Sequence, residues 1–412
     1  MTVREQLDIT SAAAKPHTYA TYARLRAEAP IFKASLPNGD PLWLVTRYED
    51  VVAIFKDERF AKNFRNAMTP EQLATMPVGG LSDFAHRNML FIDPPDHARL
   101  RSLVARGFTP ARIEALRPRI QQIADELIDA LPAGEPFDLL DAYAFPLPIT
   151  VISEMLGVPH EDREQFRVWS NVMVNGDTML PNEPLRMQAM QAFGGYIYQL
   201  IERRRAEPRD DLVSLLVQAE EQGDRLDVQE LMAMIFLLIV AGHETTVNLI
   251  ANGVLALLAN PGQLALLKAQ PELIKNAVEE LLRFDGPVET STMRFAREDV
   301  AWGDQLIRRG ERVLVIINSA DRDPEIFENP DELDITRQIK HHVAFGHGIH
   351  YCLGAPLARL EGQVAIGTLL RRLPGLRLAV PAEQLTYRQS MLIRGLEQFP
   401  VVADEVAPAA AR

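Results

Sequence analysis

Cysteine is almost absent from this chain: Cys352 is the only one in 412 residues, which excludes a disulfide framework. Basic charge is also short. Lys and Arg total 43 against 56 Asp and Glu, a formal charge of −13, and nothing concentrates enough cation to neutralise a run of phosphates, so no nucleic-acid partner is expected. The N-terminus, MTVREQLDITSAAAKP, carries charge where a secretion signal needs an apolar core. The longest apolar run, Leu231 to Gly242, is too short to cross a bilayer. A cytoplasmic protein with no membrane partner is therefore expected. No linker, low-complexity tract or internal repeat divides the chain, which reads as one large domain over 1–412 with loose ends at 1–18 and 404–412.

What is abundant is helical periodicity. Apolar residues recur at three- and four-residue spacing over Ile113–Leu131, Phe145–Leu156, Ala189–Arg205, Leu226–Leu258, Pro271–Phe284 and Ala355–Leu373. Short β-rich pieces occur near Leu42–Thr46, Val300–Trp302, Arg312–Ile317 and Leu392–Val402. The expected fold class is mainly α with small β-sheets.

Cys352 lies inside FGHGIHYCLG, Phe345 to Gly354, between a glycine-rich turn and an amphipathic helix beginning near Leu353. Amides at the turn and the positive end of the helix dipole would lower the thiol pKa and hydrogen-bond the sulfur, as an axial iron ligand requires; the ordinary alternative is an inert buried thiol. A second irregularity, AGHETT at Ala241 to Thr246, interrupts the most apolar helix with Gly, an acid and two hydroxyls. The glycine costs about 1 kcal/mol relative to Ala, and Thr can bond back to a carbonyl one turn earlier. Ala241 and Thr245 share a face, and Ala241 with Gly242 leaves room for a flat macrocycle. His243 lies off that face, so a structural or surface role is expected of it. A third motif, EELLRF, holds Glu280 and Arg283, a pair that in isolation reads as a surface ion pair of a few tenths of a kcal/mol.

The order Phe, Gly, any, Gly, any, His, any, Cys, any, Gly resembles the haem-binding loop of the cytochrome P450 monooxygenases, and the resemblance covers about Tyr19 to Pro400. It implies the P450 fold around a buried haem b, with Cys352 as the axial iron ligand, and Phe345, Gly346 and Ala241 against the macrocycle. Glu244 and Thr245 become the proton-delivery pair, while His97, Arg101, Arg294 and His350 match propionate-binding positions. The Glu280–Arg283 pair becomes a structural network completed by Arg337, with Arg322 the alternative.

The same resemblance implies a monooxygenase that hydroxylates or epoxidises an organic substrate with O2, taking two electrons from a separate ferredoxin and ferredoxin reductase. PVETSTMRFA, Pro287 to Ala296, resembles natural-product tailoring members. The expected pocket residues are Met89, Met173, Met179, Leu238, Val288 and Met391, with Met68, Met76, Met187, Met190 and Met293 as further methionines from nearby segments. Such a surface suits a bulky, mostly apolar substrate. A carboxylate substrate would need Arg65, Arg87, Arg186 or Arg394 as anchor. Arg106, Arg112 and Arg359 are the expected docking cations for the ferredoxin. Two rivals stand: a peroxide-driven or oxidative-coupling haem-thiolate enzyme, and a haem-binding sensor without turnover.

Overall fold

Apolar side chains at helical spacing, closed off by caps and prolines, set the framework. The computed structural model describes residues 8–36, 39–75, 87–174, 184–218, 226–339 and 341–409, without the side chains of 167, 170–174 and 184–187. The longer helices are α1 (Thr18–Glu28), α2 (Tyr48–Lys56), α3 (Asp96–Ala105), α4 (Arg117–Asp129), α5 (Pro146–Leu156), α6 (Arg163–Val174), α7 (Pro184–Ala206), α8 (Val228–Ala259), α9 (Pro261–Ala269), α10 (Ile274–Asp285) and α11 (Ala355–Arg372). The segment expected as one helix over Ile113–Leu131 is two, Pro110–Ala115 and α4. Pro118 in the first turn of α4 has no N–H to continue the earlier ladder.

α8 starts at a reciprocal capping box, in which the Asp227 side chain accepts from the Glu230 N–H and the Glu230 side chain from the Asp227 N–H. It is long and apolar enough to cross a membrane by composition. Here it is the central helix, packed against α5, α10 and α11. One apolar cluster runs from Leu100 on α3 through Ile152 on α5 and Ile250 on α8 to Ile366 on α11.

The strands are β1 (Ile31–Ser35), β2 (Pro41–Val45), β3 (Phe60–Ala61), β4 (Phe137–Asp138), β5 (Arg294–Ala296), β6 (Val300–Trp302), β7 (Gln305–Ile307), β8 (Arg312–Val315), β9 (Arg377–Leu378) and β10 (Pro400–Val402). They form a five-stranded sheet in the order β1-β2-β8-β5-β3, a three-stranded sheet β4-β10-β9 and the hairpin β6-β7. β2 runs parallel to β8, with Leu42 opposite Arg312. Of the expected strand at Leu392–Val402 only β10 is regular; the residues before it form isolated bridges, Val288 with Ile393 and Tyr387 with Leu396.

The described parts of both ends have fixed contacts. Lys15 and Thr18 are buried. The Ala407 N–H donates to the Arg372 carbonyl at 2.8 Å, and Arg377 pairs with Asp404 at 2.8 Å.

Candidate active site

Cys352 sits where the turn over residues 343–351 feeds α11. Gly346 and Gly348 have φ of 70° and 73°, the left-handed region that only glycine enters freely. A Cβ on Gly348 would lie 2.8 Å from the Phe55 carbonyl oxygen, so the close approach of α2 demands glycine as well. The Cys352 N–H donates to the Phe345 carbonyl at 2.9 Å. Arg101 Nη2 donates to the Tyr351 carbonyl at 2.7 Å. Arg359 grips Glu279 with two hydrogen bonds of 2.6 and 2.8 Å, and its guanidinium lies 4.5 Å over the Phe345 ring. Arg359 is thus a strut of the cysteine loop and its charge is matched.

Burial pushes the Cys352 thiol up, against the sequence expectation of a lowered value. Desolvation outweighs the Gly354 and Ala355 amides, Arg101 and Arg359, all of which act downward. A cation on the sulfur reverses that balance.

His97 on α3 and His350 of the cysteine loop bring their rings to 4.2 Å. Around them converge Arg101, Arg294 of β5, and Lys62 just after β3, each depressing the His350 pKa, which burial first of all drives down to about 2. Burial likewise lowers Arg294 to about 10 and Lys62 well below the usual lysine range. Asp93 offsets them, but its carboxylate is engaged by the Lys62 and Asn66 nitrogens at 2.8 and 2.6 Å and by Arg297 at 3.2 Å. His97 Nε2 and Arg294 Nε are buried without a hydrogen-bond partner among the described residues. Buried cations in excess, with donors unsatisfied, fit a ligand carrying two carboxylates. Lys62 was not anticipated: it falls in an unremarkable run, FAKNF, and only the β3–β5 pairing, Phe60 opposite Ala296 and Ala61 opposite Phe295, brings it beside Arg294.

On α8, Ala241 is exposed between buried Ile239 and His243. Cys352, flanked by packed helix, is exposed too. Cys352 shows surface although its sulfur is enclosed enough for burial to raise its pKa, so that surface faces an enclosed space rather than open water. The Thr245 hydroxyl donates to the Ala241 carbonyl at 2.6 Å, the local back-bonding expected at this motif. His243 packs edge-on against Phe145, ring centres 4.2 Å apart, so its role is structural and interior. Glu244 faces Arg388 at 3.5 Å, and burial, opposed by that arginine, raises its pKa to about 7. The residues flanking Gly395 bring the Arg388 segment close: a Cβ at Gly395 would sit 1.9 Å from Asn248 Oδ1.

The helical pair is wholly buried. Arg283 makes two 2.7 Å hydrogen bonds to Glu280, and Arg337 Nε reaches Glu280 Oε1 at 3.2 Å. Arg322 instead caps the Phe284 carbonyl and stacks 3.6 Å over Tyr19, which settles the choice between the two arginines. Another buried acid escaped the sequence reading: Glu361 on α11, whose carboxyl burial pushes up to about 8 with only Thr246 opposing. Its signal was there, an acid nine residues after Cys352 on a helix face with buried Leu357 and Val364.

Met89 and Leu238 are buried, Val288 and Met391 partly so. Met76 and Met179 fall outside the described residues, as do the side chains of Met173, Met187 and Arg186. Arg394 turns away from any pocket, donating to Asp285 at 2.7 Å. Arg87 pairs with Asp227 at 3.7 Å and Arg65 stacks 5.1 Å over Phe64.

Residues 10–375 match the family description Cytochrome P450. The chain belongs to the cytochrome P450 family. It is 50% identical over 383 residues to Cytochrome P450 107B1 of Saccharopolyspora erythraea, covering 92% of this P450 and 93% of that protein. It is 48% identical over 388 residues to the cytochrome P450 monooxygenase PikC of Streptomyces venezuelae, covering 93% and 90%. The solved structure of the Bacillus subtilis bacillaene polyketide synthase cytochrome P450 PksS superposes with a TM-score of 0.90 at 44% identity, over 97% of this chain and all of that one. This P450 is a haem-thiolate monooxygenase, an oxidoreductase that draws electrons from redox partners to act on a small molecule.

Proposed function

We propose that this P450 binds haem b and hydroxylates or epoxidises a bulky, largely apolar natural-product skeleton, with electrons from a ferredoxin and its reductase. Bound haem supplies the centre at which one atom of O2 enters the substrate and the other leaves as water. The chain supplies everything else. Cys352 would be the thiolate ligand; His97, Arg101, Arg294 and His350, with Lys62, would neutralise the propionates; Phe345, Gly346 and Ala241 would pack against the ring.

Glu244 holds a proton at its carboxyl near neutral pH, and Thr245 presents a hydroxyl on the same stretch of α8. A carboxyl with a pKa near the operating pH both takes and gives protons readily. This pair is the reason to prefer O2-driven monooxygenation over a peroxide-driven or coupling enzyme, and proton delivery has no use in a sensor. Glu280, Arg283 and Arg337 hold the fold and help retain haem.

The substrate class rests on one observation: the expected pocket residues that are described are Met89, Leu238, Val288 and Met391, whereas Arg394, Arg87 and Arg65 are engaged elsewhere. Of the four arginines expected as carboxylate anchors, the three whose side chains are described are thus occupied. The test is the spin-state shift on titrating the ferric protein with macrolides, steroids, terpenoids and small carboxylic acids. Response to the bulky neutral skeletons is expected. Tight binding confined to the small acids overturns the reading.

A further inference from the structure

Among the described residues, a lysine with no exposed surface lies ahead of the first helix, in a segment whose composition gave no hint of a fixed position. Lys15 is 0% exposed, and its two polar ends reach two different segments. Its Nζ pairs with Glu289, which also accepts from the Tyr22 hydroxyl at 2.7 Å. Its carbonyl accepts from Arg394 Nη1 at 2.8 Å. Glu289 is 1% exposed and Arg394 4% exposed.

Those two partners belong to the two expected pocket walls. Side chains alternate along an extended segment, so Glu289 turned toward Lys15 leaves Val288 turned the other way. The walls are also stitched to each other: Glu289 N–H donates to the Leu392 carbonyl at 2.9 Å, Arg394 N–H to the Pro287 carbonyl at 2.9 Å, and the Thr290 hydroxyl to the Met391 carbonyl at 3.0 Å. α8 joins the same knot, since Asn252 Nδ2 donates to the Arg394 carbonyl at 3.0 Å. Met293 and Met391, both only partly buried, also touch the cluster of Ile9, Tyr22 and Leu25, which ties the walls to the same N-terminal segment.

We propose that Lys15 is a positioning residue for the distal pocket, a clamp from the N-terminal segment that fixes the spacing of the 287–293 and 391–394 walls and so sets affinity for large ligands. This rests on the reading of Val288 and Met391 as pocket walls. A buried ion pair whose partner is removed leaves an uncompensated charge that the surroundings must move to solvate, and here the surroundings are those walls.

Two azole ligands of the ferric iron separate wall from centre. Clotrimazole is large enough to press on the walls; imidazole meets little beyond the iron. In haem-loaded Lys15→Met the clotrimazole dissociation constant should rise about tenfold, or about 1.4 kcal/mol, while that of imidazole stays within about twofold. The neutral double variant, Lys15→Met with Glu289→Gln, avoids the stranded carboxylate and keeps the test open if the single variant fails to fold; it should show the same selective loss with an unaltered carbon monoxide spectrum. Clotrimazole affinity equal to wild type in the double variant, or equal loss for both azoles, overturns the clamp. Val288→Ala is the control for the underlying reading: if it leaves clotrimazole binding unchanged, the wall assignment fails whatever Lys15 does.

Discussion

At the scale of single residues, the site works by burying groups that prefer water and leaving each a restricted choice of partner. Thr245 is the simplest case, a hydroxyl with one hydrogen bond to its own helix at the Ala241 carbonyl and its lone pairs available to the pocket. Thr245→Ala should leave haem content and ligand affinity intact while product formed per reductant consumed falls about tenfold, a modest share of the roughly 10²–10⁴ that positioned proton transfer supplies. An unchanged ratio would pass the role to Thr246. Glu361 gives a pH prediction with a definite sign. Its carboxyl is pushed up to about 8 in the folded protein, so between the ordinary carboxylate value and that pH the folded state keeps a proton that the unfolded chain has released. Stability therefore falls as pH rises through that window, by up to about 1.4 kcal/mol per unit. Glu361→Gln should remove that contribution, raising Tm at pH 8 relative to wild type by more than at pH 5.5. An identical offset at both pH values would show that the folded-state carboxyl titrates normally. Residues of this kind divide sharply in legibility. Cys352, His350 and Glu244 were readable because they sit at fixed offsets in short motifs, while Lys62 was not, because its meaning comes from a strand pairing across some 230 residues of chain.

At the scale of elements, α10 and the segment after Asp321 are locked through charge that no water reaches. Glu280 accepts from Nε and Nη2 of Arg283, from Arg337 Nε and from the Asp334 N–H. Glu280→Ala would strand Arg283, which is 0% exposed, at a cost of about 3–5 kcal/mol, visible as loss of recovered haem and a lower Tm. Arg337→Ala, which leaves the Glu280–Arg283 pair intact, should cost clearly less. Equal losses in the two variants would refute the ranking. The helices themselves were legible: α5, α7, α8 and α11 follow the apolar spacing to within a few residues. The small sheets were less so. β5 is three residues long, and its place between β8 and β3 depends on partners far along the chain. The expected strand at Leu392–Val402 misled for a related reason, since its first half spends its backbone hydrogen bonds on isolated bridges to the 287–290 and 386–388 segments.

At the scale of the whole molecule, the ferredoxin proposed above as electron donor would have to approach a chain whose own net charge is acidic. Net charge is −13, yet a docking face is decided by local potential. The structure redistributes the expected cations: Arg359 is neutralised by Glu279, whereas Arg106 is exposed and Arg112 is exposed beside a still more open Asp210 at 3.7 Å. Ile349 and Tyr351, exposed at 51% and 38% on the cysteine loop, add apolar contact of the kind that interfaces place inside a polar rim. Reversing Arg359 would therefore report on the cysteine loop, through a lost carbon monoxide spectrum, before it reported on docking. Arg106→Glu with Arg112→Glu is the cleaner test. In this variant the ferredoxin concentration for half-maximal reduction should rise about tenfold at low ionic strength, and the difference from wild type should shrink as the Debye length falls to about 3 Å near 1 M salt. The spectrum and azole affinity should not change, because the cysteine loop is braced by Arg101 and Arg359, which the variant leaves in place. A rise that persists at high salt would mean the variant has altered shape rather than charge, and no rise at either salt would move the docking face away from these two residues.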